Sequence, residues 1–213
     1  LRRYQDLVDN RLQFELQEFV KKAQEGTFDW QATGTINMLN TKYLIAGNEA
    51  NGVFENPEAN GPAWVPTEII PVSTNQEEMD QLAKLNTKTQ ATLNASEFGS
   101  VKPGSGQVTL TANSPNELKY QAEMTQGGLA VFSEIHYPTG WTATVDGQEA
   151  KIFRVNYLLR GLEIPQGSHE IVFTFAPTSY YATKTPMVIF QYLIVLALVG
   201  GIFITYKKSN AAV

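Results

Sequence analysis

The sequence contains no cysteine and only two histidines among its 213 residues. Missing cysteines exclude a disulfide framework, a cysteine-ligated metal and a cysteine nucleophile. Charged residues make up 17% of the chain, below the usual quarter, and the formal net charge is -5. No cluster of Lys and Arg stands out, so we expect no nucleic-acid partner. P-loop, HExxH and GxSxG motifs are also absent, and we expect neither a cofactor nor a metal.

Charge is missing altogether from one long stretch near the end of the chain. Residues 187–206 read MVIFQYLIVLALVGGIFITY and are followed at once by Lys207 and Lys208. Twenty residues of helix span roughly 30 Å, the thickness of a bilayer's hydrocarbon core. We therefore predict a transmembrane helix over 186–206, with Thr185 as its N-cap and Pro186 in its first turn. The alternative, a buried helix of a soluble domain, is disfavoured because such helices rarely run this long without charge.

The lysines that follow this helix give an orientation. Short cytoplasmic segments carry an excess of Lys and Arg, so we expect residues 207–213 to lie in the cytoplasm. The folded part of the chain would then face the periplasm or the exterior. The chain begins Leu1-Arg2-Arg3 without a Met, and its first 25 residues are polar and charged. We expect a processed protein or a segment of a longer one, without a signal peptide at this start.

The N-terminal segment has the periodicity of an amphipathic helix over residues 4–23, ended by Gly26. A helix that packs on a sheet is favoured over a helix on a membrane surface, because the charges of its polar face are of mixed sign. The expected apolar face comprises Tyr4, Leu7, Val8, Leu12, Leu16, Phe19, Val20 and Ala23, and the polar face Arg2, Arg3, Asp6, Asp9, Arg11, Glu15 and Glu18.

A mixed region follows. Residues 36–47 predict a strand ending at Gly47, and residues 48–66, rich in Asn, Gly and Pro, predict a loop. Residues 67–73 predict an edge strand because Pro71 lies inside it. Residues 73–85 carry capping residues and early acids and predict a short helix. Another strand is predicted within 89–98.

From Gly106 to Pro177 short alternating or apolar runs are separated by turn residues, which is typical of an antiparallel sandwich. Asp146-Gly147 suits a two-residue hairpin turn. The predicted fold class is α+β, mainly β, an antiparallel β-sandwich with an N-terminal amphipathic helix and a C-terminal transmembrane helix. The predicted division is a mixed region over 1–100, the sandwich over 101–180, the membrane helix over 186–206 and a cytoplasmic tail over 207–213.

The stretch YPTGWTATVDGQ, residues 137–148, holds the most suggestive aromatic pair. Its rings are candidates for a sugar-stacking platform, but core or turn packing is the favoured interpretation because a sandwich also needs aromatics. A metal or acid–base role for the nearby Glu–x–His pair is conceivable on a strand, and Glu134 with Asp146 or Glu149 would be the carboxylate pair of a hydrolase. The candidate ligand-binding residues are Glu134, His136, Tyr137, Trp141, Arg154, Asn156 and Arg160.

Several motifs resemble one family. They are NMLNTKYLI at 37–45, YPTGWTATVDG at 137–147, the Arg-Val-Asn-Tyr-x-x-Arg run at 154–160 and the Pro-x-Gly-x-His turn at 165–169, followed by the closing apolar helix. Together they resemble the C-terminal part of the YfhO-like bacterial membrane proteins, in a Bacteroidetes-like version, over nearly the whole chain. Thr139 stands between Pro138 and Gly140, where other members often run Pro-Gly directly; this touches only a turn.

The resemblance implies a large polytopic protein of the bacterial inner membrane, akin to the GT-C glycosyltransferases, that glycosylates cell-envelope polymers with polyprenyl-phosphate sugars. Its catalytic carboxylates would lie upstream of Leu1, so no catalytic residue is assigned here and the fragment itself is expected to be inert. The expected partners are the membrane, the N-terminal membrane helices of the same protein, and an envelope glycan or polyprenyl-linked sugar. The alternative is a purely structural or protein-interaction scaffold domain.

Overall fold

The N-terminal helix is interrupted by one turn of wider pitch. The computed structural model describes residues 2–45 and 52–211. Helix α1 (Arg2–Leu7) continues through a π-helical turn, Val8–Leu12, into α2 (Gln13–Glu25). The chain then reverses at Gly26, whose φ of 68° is left-handed. The helix predicted over 4–23 is confirmed.

The buried face of this helix differs from the predicted one. Leu7 and Phe19 are buried as expected, but Tyr4 and Val20 are exposed. Glu15, expected on the polar face, is buried. A π-helical turn advances the chain by more residues per turn than an α-helix, so it changes which side chains face the core beyond it.

Glu15 determines the structure of a segment twenty residues away. Its carboxylate oxygens accept hydrogen bonds from the backbone N–H groups of Thr35 at 3.0 Å and Ile36 at 3.1 Å. These donors belong to the first turn of α3 (Gly34–Met38), where N–H groups otherwise lack partners.

The strand predicted over 36–47 is therefore wrong at its start. Residues 36–38 are helical, and strand β1 comprises only Tyr43–Ile45. The predicted end at Gly47 lies outside the described residues. Part of the predicted 48–66 loop is also extended, since β1 pairs with β2 (Val53–Glu55) in a two-stranded sheet.

A six-stranded sheet forms the centre of the fold. Its strands are β3 (Ala63–Trp64), β4 (Glu68–Val72), β5 (Gln90–Asn94), β8 (Gly128–Ile135), β11 (Phe153–Val155) and β12 (Leu159–Ile164). The predicted edge strand with its internal proline is confirmed, because β4 is the last strand of the order β3-β8-β12-β11-β5-β4 and is parallel to β5.

Two short helices flank strand β5. The crossover between β4 and β5 holds α4 (Asn75–Leu82), whose cap Thr74 accepts from the N–H of Glu77 at 3.1 Å. Helix α5 (Ala95–Phe98) follows β5.

The second large sheet is entirely antiparallel and has five strands. They are β6 (Ser105–Ser114), β7 (Glu117–Gln126), β9 (Trp141–Val145), β10 (Gln148–Ala150) and β13 (Gly167–Phe175), and their order in the sheet is β10-β9-β13-β7-β6. Asp146 and Gly147 join β9 to β10 with φ values of 51° and 77°. Positive φ at both positions is what a type I′ turn requires, and the predicted hairpin is confirmed.

The two large sheets pack against each other as a sandwich. Strand β8 is buried on both faces: Ala130 and Phe132 join a core cluster with Tyr120 and Phe173 of the five-stranded sheet. Leu129 and Val131, which alternate with them, belong to a second cluster that also holds side chains of the helices. A strand buried on both faces reads as a continuous apolar run, as this one does. The mainly β, α+β fold class is confirmed. Strands β3, β4 and β5 share a sheet with β8, and the domain boundary at residue 100 stays a prediction.

The chain ends in one long helix, α6 (Thr178–Ala211). It begins well before the predicted cap Thr185, so Pro186 lies inside the helix, and that predicted start is wrong. No breaker occurs between Thr178 and Thr185, and the helix follows directly after Pro177. Among the described residues α6 is the one helix long and apolar enough to cross a membrane, over Thr178–Thr205, and that stretch is not buried in the protein.

Candidate functional site

The segment from Tyr137 to Trp141 connects the two large sheets. It leaves β8 of the central sheet and enters β9 of the five-stranded sheet. Tyr137 is 49% exposed, whereas Trp141 is half-buried and its ring centroid lies 5.1 Å from that of Phe175. The two aromatic residues do not form a shared exposed platform: Trp141 packs, as the favoured interpretation had it, and Tyr137 faces solvent.

Arg160 is the polar residue that packs against this tryptophan. Only 3% of its side chain is exposed, and its Cζ lies 4.0 Å from the Trp141 ring centroid and 5.4 Å from that of Phe173. Its Nε donates to the carbonyl of Ile135 at 3.0 Å, and its buried Nη1 has no hydrogen-bond partner among the described residues. A guanidinium stacks well on an aromatic face, so Arg160 is held by both apolar and polar contacts.

Glu134 and Tyr120 are the ionisable neighbours of Arg160. Burial raises the pKa of the Glu134 carboxyl above its ordinary value, and the charge of Arg160 opposes that rise. Burial also raises the pKa of Tyr120, with the charge of Glu134 acting in the same direction. Within the part of the chain that the structure describes, the buried hydroxyl of Tyr120, like Nη1 of Arg160, has no hydrogen-bond partner.

Arg154 lies directly opposite Arg160 on the adjacent strand. Its two Nη atoms contact the Glu97 carboxylate at 3.0 Å and 2.7 Å, a bidentate geometry. Its Nη2 also lies 3.8 Å from Glu78 Oε2, and its Cζ lies 5.4 Å above the ring of Phe98. These acids come from helices α4 and α5, and no local sequence pattern indicates the pairing.

Glu78 and Asn156 hold the buried turn between β11 and β12. Glu78 is fully buried and accepts from the N–H of Tyr157 at 2.9 Å. Burial raises its pKa, opposed by the Tyr157 N–H and by the charge of Arg154. Asn156, also fully buried with φ of 47°, accepts from the N–H of Thr92 at 2.8 Å. In this structure Asn156 serves the turn, and its side chain does not reach the surface.

The charges of both Arg154 and Arg160 act on His136. It is half-buried, its N–H donates to the carbonyl of Leu158 at 2.7 Å, and its ring lies 6.5 Å from Phe98. Burial first, and then the charges of Arg154 and Arg160, lower its pKa below the ordinary value of 6.5. The imidazole is therefore neutral at pH 7, with both a donor and an acceptor nitrogen.

The carboxylates considered for a hydrolase lie on different sheets. Glu134 is on β8, whereas Asp146 and Glu149 are at the β9–β10 hairpin. Asp146 accepts from His169 Nδ1 at 2.6 Å and from the N–H of Glu170 at 2.8 Å. This hairpin borders an open groove of about 420 Å³ lined also by Phe153 and Glu163. In residues 2–45 and 52–211 no three His, Asp or Glu side chains converge as metal ligands.

Strand β13 relates these places to the long helix. Its last residue, Phe175, pairs with Trp141, and α6 begins three residues later at Thr178. Its first residue, Gly167, lies next to His169 at the other end of the strand. Trp141, Arg160 and His136 are therefore at the end of the sandwich that continues into α6, whereas the Asp146–His169 pair is towards the opposite end.

A β-sandwich continuous with a long apolar helix that is not buried in the protein is an arrangement expected of a membrane protein. A family model described as bacterial membrane protein YfhO matches residues 72–185, which is more than half of the chain. The chain belongs to this family of bacterial membrane proteins, as its motifs led us to expect. No curated protein and no solved structure matches it.

Proposed function

We propose that this chain is the extracytoplasmic part of a polytopic, GT-C-like protein of the bacterial inner membrane, where it positions a polyprenyl-phosphate-linked sugar or its acceptor glycan. One observation carries the proposal: Trp141, which stacks on Arg160, pairs with the end of β13 from which α6 leaves, and His136 begins the loop that leads to this tryptophan. A lipid-linked sugar has its phosphate and first sugar rings at the membrane surface, next to the place where a membrane-spanning α6 would enter the bilayer.

The chemistry of these residues suits such a ligand. Arg160 has a buried guanidinium nitrogen to which residues 2–45 and 52–211 offer no hydrogen-bond partner, and His136 offers a neutral, half-buried imidazole. Tyr137 follows His136 in the chain and is 49% exposed, and sugars stack on exposed aromatic rings. The catalytic carboxylates of such a protein would be elsewhere in it, and this part contributes binding.

Binding is tested with the full chain in nanodiscs, titrated with polyprenyl phosphate, a polyprenyl-phosphate sugar and free envelope oligosaccharide. We expect the lipid-linked sugar to bind, and His136→Gln and Tyr137→Ala to weaken it. Matched controls are His169→Gln and Tyr43→Ala, which remove the other histidine and another exposed tyrosine and should leave affinity unchanged. Equal affinity of all four variants, or no binding at millimolar ligand, would refute the proposal.

The topology is tested separately with reporter fusions. A phosphatase that is active only outside the cytoplasm should be inactive after Val213, which lies outside the described residues, and active when inserted at the Asp146–Gly147 turn. Lys207 and Lys208 beyond the apolar run support this orientation. The reverse result would place the folded part in the cytoplasm.

A second candidate function is a scaffold that only stabilises the membrane bundle or pairs with another envelope protein. It is favoured by Arg154, whose guanidinium is already neutralised by Glu97 and lies close to Glu78. Under this alternative the same variants would change assembly of the protein and leave ligand affinity unaffected.

A further inference from the structure

The sandwich and the apolar helix are joined with almost no linker. Strand β13 ends at Phe175 and α6 begins at Thr178, so only Ala176 and Pro177 lie between them. The uncharged run that precedes Lys207 begins at Thr185, seven residues after Thr178. Seven residues of helix cover about 10 Å, and the headgroup layer of one leaflet is about 5–8 Å thick. The end of the sandwich is therefore close to the membrane surface.

The loop of residues 136–140 is locked to this junction. The N–H of Ala176 donates to the carbonyl of Gly140 at 2.7 Å. A Cβ at Gly140, whose φ is 90°, would lie 2.9 Å from Phe175 and 3.0 Å from Pro177. The close contact and the positive φ both require glycine here. The loop thus has a fixed position beside the start of α6.

The two chain segments that meet at the junction have the composition of a membrane interface, although the half-exposed Glu117 of the neighbouring strand β7 lies opposite Thr174. Residues 137–145 and 171–183 contain no charged side chain, and Lys184 is the first charge after the second segment. Tyr137 is 49% exposed and Tyr180 is 54% exposed. Tyrosine is enriched at the headgroup level because its ring is apolar and its hydroxyl is polar.

We propose that the loop of residues 136–140, led by Tyr137, is a membrane-contact surface that rests in the headgroup layer and fixes the orientation of the sandwich. Its occupant is the lipid surface around α6 rather than a protein partner. This surface depends on the membrane span and not on whether the domain binds a sugar.

Single-cysteine labelling can test this contact cleanly because the chain has no native cysteine. The full chain is reconstituted in vesicles with a bimane label at Thr139→Cys or, as the matched control, at Gln166→Cys. Both positions are exposed, and Gln166 precedes β13 at the end remote from Phe175. Nitroxide on the lipid headgroup serves as the quencher. We expect the label at 139 to lose most of its emission and the label at 166 to keep nearly all of it.

The role of the tyrosine is measured in the same assay. Tyr137→Ser should reduce quenching at 139, whereas Tyr43→Ser, at another exposed tyrosine, should not. Circular dichroism of each variant verifies that the sandwich is folded. Equal quenching at 139 and 166 would overturn the membrane contact. Strong quenching at 139 that Tyr137→Ser leaves unchanged would overturn the assignment of Tyr137 as its anchor.

Discussion

The guanidinium carbon of Arg160 lies 4.0 Å from the centroid of the Trp141 ring. The tryptophan pairs with the end of β13, and the arginine donates to the carbonyl of Ile135 in the other large sheet. This contact therefore fastens the two sheets together at the end that continues into α6. It also separates the two aromatic residues of the 137–148 stretch into a packing residue and a surface residue.

Truncating these two aromatic residues should have different effects. We expect Trp141→Ala to lower the free energy of unfolding by about 2–4 kcal/mol, because it removes a large, partly buried ring and the contact with Arg160. Tyr137→Ala should change it by less than about 0.5 kcal/mol, since that side chain is half exposed. Urea unfolding of the full chain in detergent micelles, followed by circular dichroism, measures both. Comparable losses in the two variants would contradict the assignment.

The buried pair of Arg154 and Glu78 should be sensitive to removal of one partner. Arg154→Met leaves the fully buried Glu78 without its counter-charge, and we expect a loss of about 3–5 kcal/mol in unfolding free energy. Glu97→Gln is the control: that carboxylate is 46% exposed, and its loss should cost less than the loss of Arg154, because the fully buried Glu78 keeps its counter-charge.

A double variant separates charge from packing at this pair. Adding Glu78→Gln to Arg154→Met removes the uncompensated charge and should recover part of the loss. Unfolding in urea with the same probe measures the recovery. If Arg154→Met and Glu97→Gln were equally mild, Glu78 would not depend on Arg154.

The two histidines should titrate on opposite sides of pH 6.5. The hydrogen bond to Asp146 is the main cause that raises the pKa of His169, whereas burial is the main cause that lowers the pKa of His136. Because the sequence has only these two, their imidazole signals in a nitrogen-15 NMR titration are easily resolved. Asp146→Asn should lower the pKa of His169 and leave that of His136 unchanged. If His136 and His169 titrated with the same pKa, the different environments that the structure assigns to them would be wrong.

The Asp146–His169 pair should stabilise the fold within a defined range of pH. The pKa of Asp146 is lowered, chiefly by the hydrogen bond from His169, so its contribution is present above 3.8 and is lost as pH falls through the folded value. The pKa of His169 is raised, so its contribution is present below 6.5 and is lost as pH rises through the folded value. The melting temperature of the native chain should exceed that of Asp146→Asn most between these limits. A difference independent of pH would exclude an electrostatic origin.

Glu15 should matter far more than its exposed neighbour on the same helix. Glu15→Ala removes the acceptor of two buried N–H groups, and we expect a loss of about 1–3 kcal/mol in unfolding free energy. Glu18→Ala, at an exposed position that pairs with Lys22, is the matched control and should be close to neutral. Thermal unfolding in micelles compares the two variants. Equal shifts in melting temperature would show that the hydrogen bonds from Thr35 and Ile36 to Glu15 contribute nothing to stability.

Local pattern was sufficient wherever local chemistry decides the backbone. The helix of residues 75–82, the edge strand with Pro71 and the Asp146–Gly147 turn were all predicted, because capping, a missing N–H and positive φ act within a few residues. Residues 36–38 were assigned to a strand because the group that makes them helical, Glu15, is distant in sequence. The pairing of β4 and β5 with the sandwich is non-local in the same way.

The candidate site shows the same limit. Residue type and spacing picked out Arg154, Arg160 and Trp141, and the structure brings Arg160 and Trp141 into contact. Glu78 and Glu97, which neutralise Arg154, were missed since they lie on helices that precede it by more than fifty residues. Asn156 was selected as a polar candidate, but its left-handed turn buries it completely.

Pro186 lies inside α6, where its ring nitrogen cannot donate to the carbonyl four residues earlier. Helices bend most easily at such a position, and Pro186 is at the start of the apolar run, eight residues after α6 begins. A bend there would let the span tilt to suit bilayers of different thickness. The sandwich could meanwhile keep one orientation relative to the membrane, so Pro186 would act as a hinge between the sandwich and the membrane span.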